Sequence, residues 1–317
     1  MSTAGGELPP PEGFTIGHWT DAVAETGCTV VLPPAGSTCG VDVRGGGPGS
    51  RETEILGPLA NASEATAVLL TGGSAFGLAA ADGVVRWCEE NGRGYATPGG
   101  LVPLVPAAVI YDLITGRPDV RPGPEQGYEA AASATGGVPE RGRVGAATGA
   151  AVAKALGREH ASPGGIGYAA LTLGSGETVA AIAAVNATGD IIDVDGSAIA
   201  ELPEAAGEHR RSADLIASIS AAPEWSTRAP REGTTLVCVM TDLPLDKLAA
   251  NKVARMASAG IARAVDPVFT PFDGDITFCL ASGGAETAPA WRVMAGGTAA
   301  ATVTAAAIRD GARSAAA

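Results

Sequence analysis

The chain has 317 residues and a formal net charge of -13, and 46% of its residues are hydrophobic although only 4% are aromatic. This length accommodates one large domain or two small ones, and a core with so few aromatic side chains must pack through small residues at close backbone approach. The acidic charge, with no basic run longer than Arg210-Arg211, argues against surfaces for nucleic acid and for anionic membranes. We therefore expect a small-molecule or peptide substrate.

The cysteines and histidines form no motif that would bind a metal or supply a catalytic triad. None of the five cysteines has CxxC spacing, and none of the three histidines lies in an HExxH pattern or beside a GxSxG elbow. We interpret the cysteines as small buried hydrophobic residues in a reducing compartment. The sequence thus predicts no metal and no cofactor. It also has no signal-peptide pattern and no run of about 18 apolar residues, so we expect a cytoplasmic protein.

The first third of the chain alternates short apolar runs with turn residues, which is typical of strands joined by loops. In chain order the patterns predict a loose arm (1–15), antiparallel strands or a hairpin (14–43), a glycine-rich loop (45–49), a buried strand (67–71) and a helix (75–91) with Ser74 as its N-cap. The glycine-rich loop is a weak phosphate-binding candidate, because no Gly-Lys-Ser/Thr follows it and its spacing is not that of a dinucleotide fingerprint.

The later patterns predict further strands and helices, with three polar residues of interest among them. The elements are a strand-like run (105–112), a short helix (127–135), an Ala-rich stretch (144–156), a hairpin (167–173 with 178–185), a connector (199–232), a helix (244–265), a strand (276–281) and a terminal helix (290–310). By pattern alone Tyr111 is a core residue, Lys154 is a solvated helix end and Asn186 is a turn former.

The segment Gly233-Thr234-Thr235 opens an apolar run, 236–240, which predicts a strand buried on both faces. A Thr hydroxyl is a weak nucleophile unless a base adjoins it. Cleavage before Thr234 would create that base as a free α-amino group, which titrates at about 7.7 to 8.0. Glycine at position 233 can adopt strained dihedral angles that expose its carbonyl group. The alternative is a simple turn that enters a strand, and the pattern by itself favours that alternative.

Several segments lie in the chain in the order typical of one family. They are residues 43–54, where Arg44 precedes three glycines, and residues 70–78, 107–112, 233–235, 241–242, 259–264 and 272–278. With these segments the chain resembles, over nearly its whole length, the self-processing family that contains the DmpA-type L-aminopeptidase/D-esterases, the β-peptidyl aminopeptidases and the nylon-oligomer (6-aminohexanoate) endohydrolase. The combination of segments is far more specific than any one of them.

The resemblance implies an α/β fold, an αββα four-layer sandwich of the N-terminal-nucleophile type, which strand-rich sheets covered by Ala/Gly-rich helices also fit. It implies cleavage between Gly233 and Thr234 into an α chain (1–233), which ends in the connector, and a β chain (234–317), within one folded domain. It further implies a homo-oligomer of processed αβ units. The expected substrate is a small peptide or an amide oligomer, and neither nucleic acid nor a membrane is expected as a partner.

The same resemblance implies roles for the polar residues of the chain. These are Thr234 as the nucleophile, Asn186 as the donor to the developing oxyanion, Tyr111 as a hydrogen-bond donor near the reacting carbonyl group, Lys154 as the residue that holds the polar network, and Asp273 and Asp275 as the carboxylates that orient the Thr234 hydroxyl and stabilise its ammonium form. By pattern alone the acidic pair would be a solvated turn.

The Asp-Gly-Asp form of segment 273–275 departs from the Ser and Glu that the aminopeptidase members commonly have there, and it is closer to the nylon-hydrolase pattern. Peptides of β-amino acids, α-amino acid amides and aminohexanoate oligomers therefore all stay open as substrates, each hydrolysed through an acyl-enzyme. Two other functions also stay open. One is a Thr-nucleophile acyltransferase that resembles the ornithine acetyltransferases, and the other is an uncleaved binding protein without enzymatic activity.

Overall fold

The computed structural model describes residues 8–202, 211–220 and 233–317. The strands are β1 (Thr15–Asp21), β2 (Thr26–Leu32), β3 (Thr38–Val43), β4 (Ser50–Arg51), β5 (Val68–Thr71), β6 (Tyr95–Thr97), β7 (Gly100–Val102), β8 (Ala107–Val109), β9 (Ala151–Val152), β10 (Ser162–Pro163), β11 (Ile166–Thr172), β12 (Thr178–Asn186), β13 (Asp190–Ile192), β14 (Ala198–Ala200), β15 (Thr234–Thr241), β16 (Val265–Asp266) and β17 (Ile276–Ala281). The α-helices are α1 (Thr53–Leu56), α2 (Ala80–Glu90), α3 (Pro124–Ala132), α4 (Ser212–Ala217), α5 (Lys247–Ala262) and α6 (Ala290–Ala316), and 3₁₀ turns cover Ser74–Ala79, Gly145–Ala147 and Arg158–His160. Most of the predicted connector and part of the predicted N-terminal arm lie outside the described residues.

Two sheets of five strands lie face to face in the described part of the chain. Sheet I has the strand order β1-β2-β5-β8-β4, and sheet II has the order β11-β12-β15-β17-β3. Strand β15 is central in sheet II, antiparallel to β12 and parallel to β17. Helices α2 and α3 cover the outer face of sheet I, while α5 and α6 cover the outer face of sheet II. This is the αββα four-layer sandwich that was expected.

Strand β15 is buried along its whole length because apolar layers lie against both of its faces. Leu236, Cys238 and Met240 belong to the core between the two sheets. Val237 and Val239 belong to the core under α5 and α6. This division follows from the two-residue period of a strand. The prediction of a strand buried on both faces is confirmed, so Thr234 stands at the start of a firmly packed central strand.

Small residues bring the layers close together. Helices α2 and α3 meet where a Cβ on Gly83 would lie 1.6 Å from the Pro124 carbonyl oxygen. On the facing helix, a Cβ on Gly127 would lie 1.9 Å from the Ala80 carbonyl oxygen. Real side chains do not fit at such distances from backbone atoms, so these contacts require glycine. The expectation that a core poor in aromatic residues packs by close backbone approach is confirmed.

The helix predicted over 75–91 begins as the 3₁₀ turn Ser74–Ala79 and becomes α-helical only in α2. The assignment of Ser74 as its N-cap is wrong. Gly73, with a φ of 78°, occupies that position, and no side-chain capping bond is made there. The reason is that the turn is fixed from outside: the Gly73 N–H donates to Asp112 Oδ1, and the Ser74 N–H donates to the Ile110 carbonyl oxygen.

The Ala-rich stretch 144–156 provides no α-helix for Lys154 to end, because it forms the 3₁₀ turn Gly145–Ala147 and the short strand β9. Lys154 is buried instead of solvated. The helix predicted from residue 244 begins later, since Asp246 is the N-cap of α5 and accepts the N–H of Ala249. The terminal helix runs on to Ala316. Within the described residues, no helix combines the length and the apolar character needed to cross a bilayer.

Candidate active site

The start of β15, the end of β12 and the loop before β17 meet at one end of the central strands of sheet II. Thr234 lies directly opposite Asn186 in the antiparallel ladder, so their side chains lie on the same face of the sheet. By alternation with Leu236, that face is the one between the two sheets. Gly233 forms an isolated parallel bridge with Asp273. The sheet register alone thus brings these predicted residues together.

The carbonyl group of Gly233 is in contact with two donors. Thr234 Oγ1 lies 2.5 Å from the Gly233 oxygen, and the Gly274 N–H donates to the same oxygen at 2.8 Å. Thr234 itself is buried. Gly274 must be small here, because a Cβ would lie 2.9 Å from Thr234 Oγ1 and 3.1 Å from the Gly47 carbonyl oxygen. The peptide bond before Thr234 therefore lies beside the Thr234 hydroxyl group, and the Gly274 N–H polarises its carbonyl group.

Asp273 is a buried carboxylate held at both oxygens. Its Oδ2 accepts the Thr270 N–H at 2.7 Å, and its Oδ1 accepts the Thr188 hydroxyl at 3.2 Å. Its main-chain oxygen accepts the Gly47 N–H at 2.8 Å. The glycine-rich loop therefore packs directly on the acidic loop, and a Cβ on Gly45 would lie only 2.0 Å from the Asp273 carbonyl oxygen.

Asp275 is buried directly before β17. Its Oδ1 accepts the Thr235 N–H at 2.6 Å, and its Oδ2 accepts the Phe269 N–H at 3.3 Å. Burial, and after it the negative charge of Asp273, raises the pKa of Asp275 to about 7. The positive charge of Lys154 acts in the opposite direction and lowers this pKa.

Lys154 and Asn186 are joined by two hydrogen bonds. Lys154 Nζ donates to the Asn186 carbonyl oxygen at 2.9 Å and to Asn186 Oδ1 at 3.0 Å. The Ala151 N–H donates to the same Oδ1 at 3.0 Å. Because two donors face Oδ1, the amide must turn its Nδ2 the other way. Nδ2 donates to the Tyr111 carbonyl oxygen at 3.4 Å.

Tyr111 joins the site from sheet I, just beyond β8. Its contact with Asn186 is made through its carbonyl oxygen, and its side chain is half-buried. The expected role of its hydroxyl group stays a prediction. Each of the predicted site residues thus lies in one connected neighbourhood at the end of the space between the sheets. Among the described residues, no cluster of His, Cys, Asp and Glu is arranged as a metal site would require.

Two groups in this neighbourhood were missed by the sequence analysis. Thr188 contacts Asp273 from the bend that follows β12, and no local pattern marks it because the two residues are 85 positions apart. The Gly274 N–H donates to Gly233, and nothing in a sequence marks a backbone N–H as functional. Only the register of the parallel pair formed by β15 and β17 places it there.

Comparison with known proteins identifies the family of the chain. The profile described as peptidase family S58 matches residues 12–316. The chain belongs to peptidase family S58. An uncharacterized aminopeptidase of Mycobacterium tuberculosis is 40% identical over 289 residues, which cover 87% of this chain and 81% of that protein. A 6-aminohexanoate-oligomer endohydrolase of Agromyces sp. is 28% identical over 268 residues, which cover 84% of this chain and 72% of that enzyme.

Solved structures agree with this S58 chain in fold. A β-aminopeptidase from Burkholderia sp. superposes with a TM-score of 0.70 at 22% identity, covering 96% of this chain and 88% of that one. The L-aminopeptidase D-Ala-esterase/amidase from Ochrobactrum anthropi, described as a variant of the Ntn hydrolase fold, gives a TM-score of 0.70 at 19% identity, covering 96% and 86%. The S58 chain has an Ntn-type fold, and its family and relatives make it a hydrolase that acts on amide bonds. The non-enzymatic alternative is thereby set aside.

Proposed function

We propose that the chain is a self-processing amide hydrolase in which Thr234 becomes an N-terminal nucleophile. The observation that carries the proposal is the environment of the Gly233 carbonyl group, whose oxygen lies 2.5 Å from Thr234 Oγ1 and 2.8 Å from the Gly274 nitrogen. A hydroxyl group beside a carbonyl group that a backbone N–H already polarises suits an intramolecular acyl shift.

In the cleavage step, Thr234 Oγ1 attacks the Gly233 carbonyl carbon. The Gly274 N–H donates to the negative charge that develops on the Gly233 oxygen. The bond between the Gly233 carbon and the Thr234 nitrogen then breaks, and that nitrogen takes up the proton lost by Oγ1. Water hydrolyses the resulting ester to a Gly233 carboxylate and a free Thr234 hydroxyl group. The products are an α chain of residues 1–233 and a β chain of residues 234–317, which together form one folded unit.

In turnover, the free α-amine of Thr234 accepts the proton of its own hydroxyl group as Oγ1 attacks the substrate amide carbon. The Gly274 N–H, which donates to the Gly233 oxygen before cleavage, and Asn186 Nδ2 donate to the oxyanion, and the Asn186 contact of 3.4 Å with the Tyr111 carbonyl oxygen is weak enough to be exchanged for the substrate. The substrate C–N bond breaks, the leaving amine takes the proton, and water hydrolyses the acyl-enzyme.

The charged residues keep this geometry. Lys154 holds the Asn186 amide in the orientation that presents Nδ2. Asp273 and Asp275 are buried beside Thr234 and stabilise the ammonium group that forms on its amine during turnover. Within the proposal, the Tyr111 hydroxyl group donates a hydrogen bond near the reacting carbonyl group.

The substrates that we propose are small peptides or amide oligomers. The support comes from the relatives of the chain, which include an uncharacterized aminopeptidase and a 6-aminohexanoate-oligomer endohydrolase. The net charge of -13 is consistent with this class of substrate.

The proposal is tested by the intact mass of the purified protein under denaturing conditions. Wild type is compared with Thr234→Ala and with the matched control Thr235→Ala, which removes the same hydroxyl group one residue along, on the other face of β15. Wild type and the control are expected to yield fragments of about 23 kDa and about 8 kDa from the 31.2 kDa chain, while Thr234→Ala stays whole. A wild-type chain that stays whole after long incubation contradicts self-processing, and a cleaved Thr234→Ala contradicts the choice of nucleophile.

A further inference from the structure

Two polar side chains lie very close to the α-carbon of Gly233. A Cβ built on this residue in the L configuration would lie 1.8 Å from Asp273 Oδ1 and 2.2 Å from Thr188 Oγ1. Both distances are far shorter than any real contact of a carbon atom with an oxygen atom. A carboxylate and a hydroxyl group therefore fill the space where an L side chain would stand, directly beside the carbonyl group that Thr234 attacks.

Hydrogen bonds hold these two side chains, those of Thr188 and Asp273, in place. Asp273 accepts the Thr270 N–H at Oδ2 and the Thr188 hydroxyl at Oδ1, while its main-chain oxygen accepts the Gly47 N–H. The residue is 3% exposed, so its carboxylate has little free space to turn into. An apolar side chain pushed against it would also have to displace a partner of a buried charge, which is costly.

We propose that Thr188 and Asp273 form a specificity wall that admits acyl groups with a CH2 next to the reacting carbonyl group and excludes L-α-substituted ones. The inference rests on the proposed function. In the uncut chain Gly233 is the acyl donor to Thr234 Oγ1, and a substrate must deliver its own acyl group to the same oxygen. Its α-carbon must then occupy the space that the Gly233 α-carbon occupies before cleavage.

The wall defines a chemical class of substrate. Glycyl, β-alanyl and longer ω-aminoacyl amides all have a CH2 next to the carbonyl group. The glycyl amino group stands where Gly233 has its own nitrogen, and the other amides carry their amino group farther along the chain. An L-alanyl amide has a methyl group where Asp273 Oδ1 and Thr188 Oγ1 stand. The forced insertion of one methyl group into a packed site is expected to lower kcat/KM by about 10-fold to 100-fold.

The first experiment compares kcat/KM of the processed wild-type enzyme for the p-nitroanilides of glycine, β-alanine, L-alanine and D-alanine. Glycyl and β-alanyl substrates are expected to be cleaved at least about 10-fold faster than the L-alanyl substrate. An L-alanyl substrate cleaved as fast as the glycyl one overturns the wall. The D-alanyl substrate serves as a size control, because its methyl group points away from the L position.

Two variants at position 188 attribute the selectivity to the wall. Thr188→Ala removes Oγ1 and is expected to reduce the glycyl to L-alanyl ratio by about 5-fold or more, because one of the two clashing atoms is gone. Thr188→Ser keeps Oγ1 and is expected to keep the ratio. A ratio that is the same in all three proteins overturns the role of Thr188. The ratio isolates selectivity from any general loss of activity that the changes cause.

A second readout needs no added substrate. Gly233→Ala places the L methyl group on the chain's own acyl donor and is expected to slow the appearance of the 8 kDa fragment about 10-fold or more. Gly174→Ala is the matched control, because a Cβ there meets nothing within 4 Å, and it is expected to be cleaved at the wild-type rate. Equal rates in the two variants contradict the wall.

The proposed function and the specificity wall can be refuted separately. A wild-type chain that is never cut and hydrolyses none of the four substrates refutes the proposed function, and the inference falls with it. The specificity wall alone is refuted by a different result. In that result the wild-type chain is cut, Thr234→Ala is not cut, and the wild-type enzyme hydrolyses the L-alanyl substrate as readily as the glycyl one.

Discussion

The first two residues of strand β15 and the five residues that follow them are stabilised in different ways. From Leu236 to Met240, apolar layers enclose the strand on both faces. At Thr234 and Thr235 the described contacts are hydrogen bonds to a carbonyl group and to a carboxylate. The packed part fixes the position of the strand, and because of this fixed position the polar part holds reactive groups at short distances. Substitutions in the polar part and in the packed part should therefore have different effects.

The largest effect is expected at the polar part from Lys154→Met. The change keeps the length of the side chain but leaves the Asn186 oxygens without their ammonium donor and Asp275 without its positive neighbour. We expect self-cleavage and amide hydrolysis to slow by about 100-fold or more, measured by fragment mass against time. Lys252→Met, on an exposed position of α5, is the control and should cleave normally. Normal cleavage by both variants would show that Lys154 has no role in self-cleavage.

In the packed part of β15, Leu236→Ala should instead lower the stability of the fold. The change opens a cavity in the core between the sheets, and the free energy of unfolding should fall by about 2 to 5 kcal/mol in urea denaturation. Molecules that stay folded should still be cut at position 233. A loss of cleavage without a loss of stability would contradict the division of roles along β15.

The stability of the protein should depend on pH through Asp275. An unfolded Asp loses its proton near pH 4, whereas the folded Asp275, with its pKa raised to about 7, keeps its proton longer. Between these values the folded state binds more protons, so its stability falls as the pH rises through this window. Asp275→Asn, which has no proton to lose, should flatten that fall. Urea denaturation at pH 5 and pH 7.5 checks it, and an unchanged pH dependence in the variant would assign the effect to another group.

The smallest effect is expected from Thr235→Val. Thr235 Oγ1 is buried and has no hydrogen-bond partner among the described residues, so replacing the hydroxyl group by a methyl group should stabilise the fold by roughly 0.5 to 2 kcal/mol. Thr241→Val at the other end of β15 is the matched control. The Thr241 hydroxyl group donates to the Thr178 carbonyl oxygen, so this change should destabilise by about 1 kcal/mol. Thermal unfolding of both variants measures the difference in sign.

Sequence patterns predicted the elements whose burial is regular. The hairpin of β11 and β12 and the strand β17 were found because alternation and turn residues mark them. The Ser74 cap was wrong, since the turn there is fixed by a hydrogen bond from Gly73 to Asp112, 39 residues later in the chain, and no local pattern contains that contact. The same limit applies to the site. Its side chains were predicted through the family resemblance, whereas the Thr188 contact and the Gly274 N–H depend on distant segments meeting in space.

The central position of β15 has a consequence for the proposed cleavage. The strand lies between β12, from the α chain, and β17, from the β chain, and β3 of the α chain lies beyond β17. The two products would therefore be interleaved within one sheet. Before the cut, folding is a unimolecular reaction of one chain. After it, reassembly of the unfolded pieces becomes bimolecular and depends on protein concentration. A cleaved molecule that unfolds at high dilution has no unimolecular way back, and its lifetime is set by its rate of unfolding.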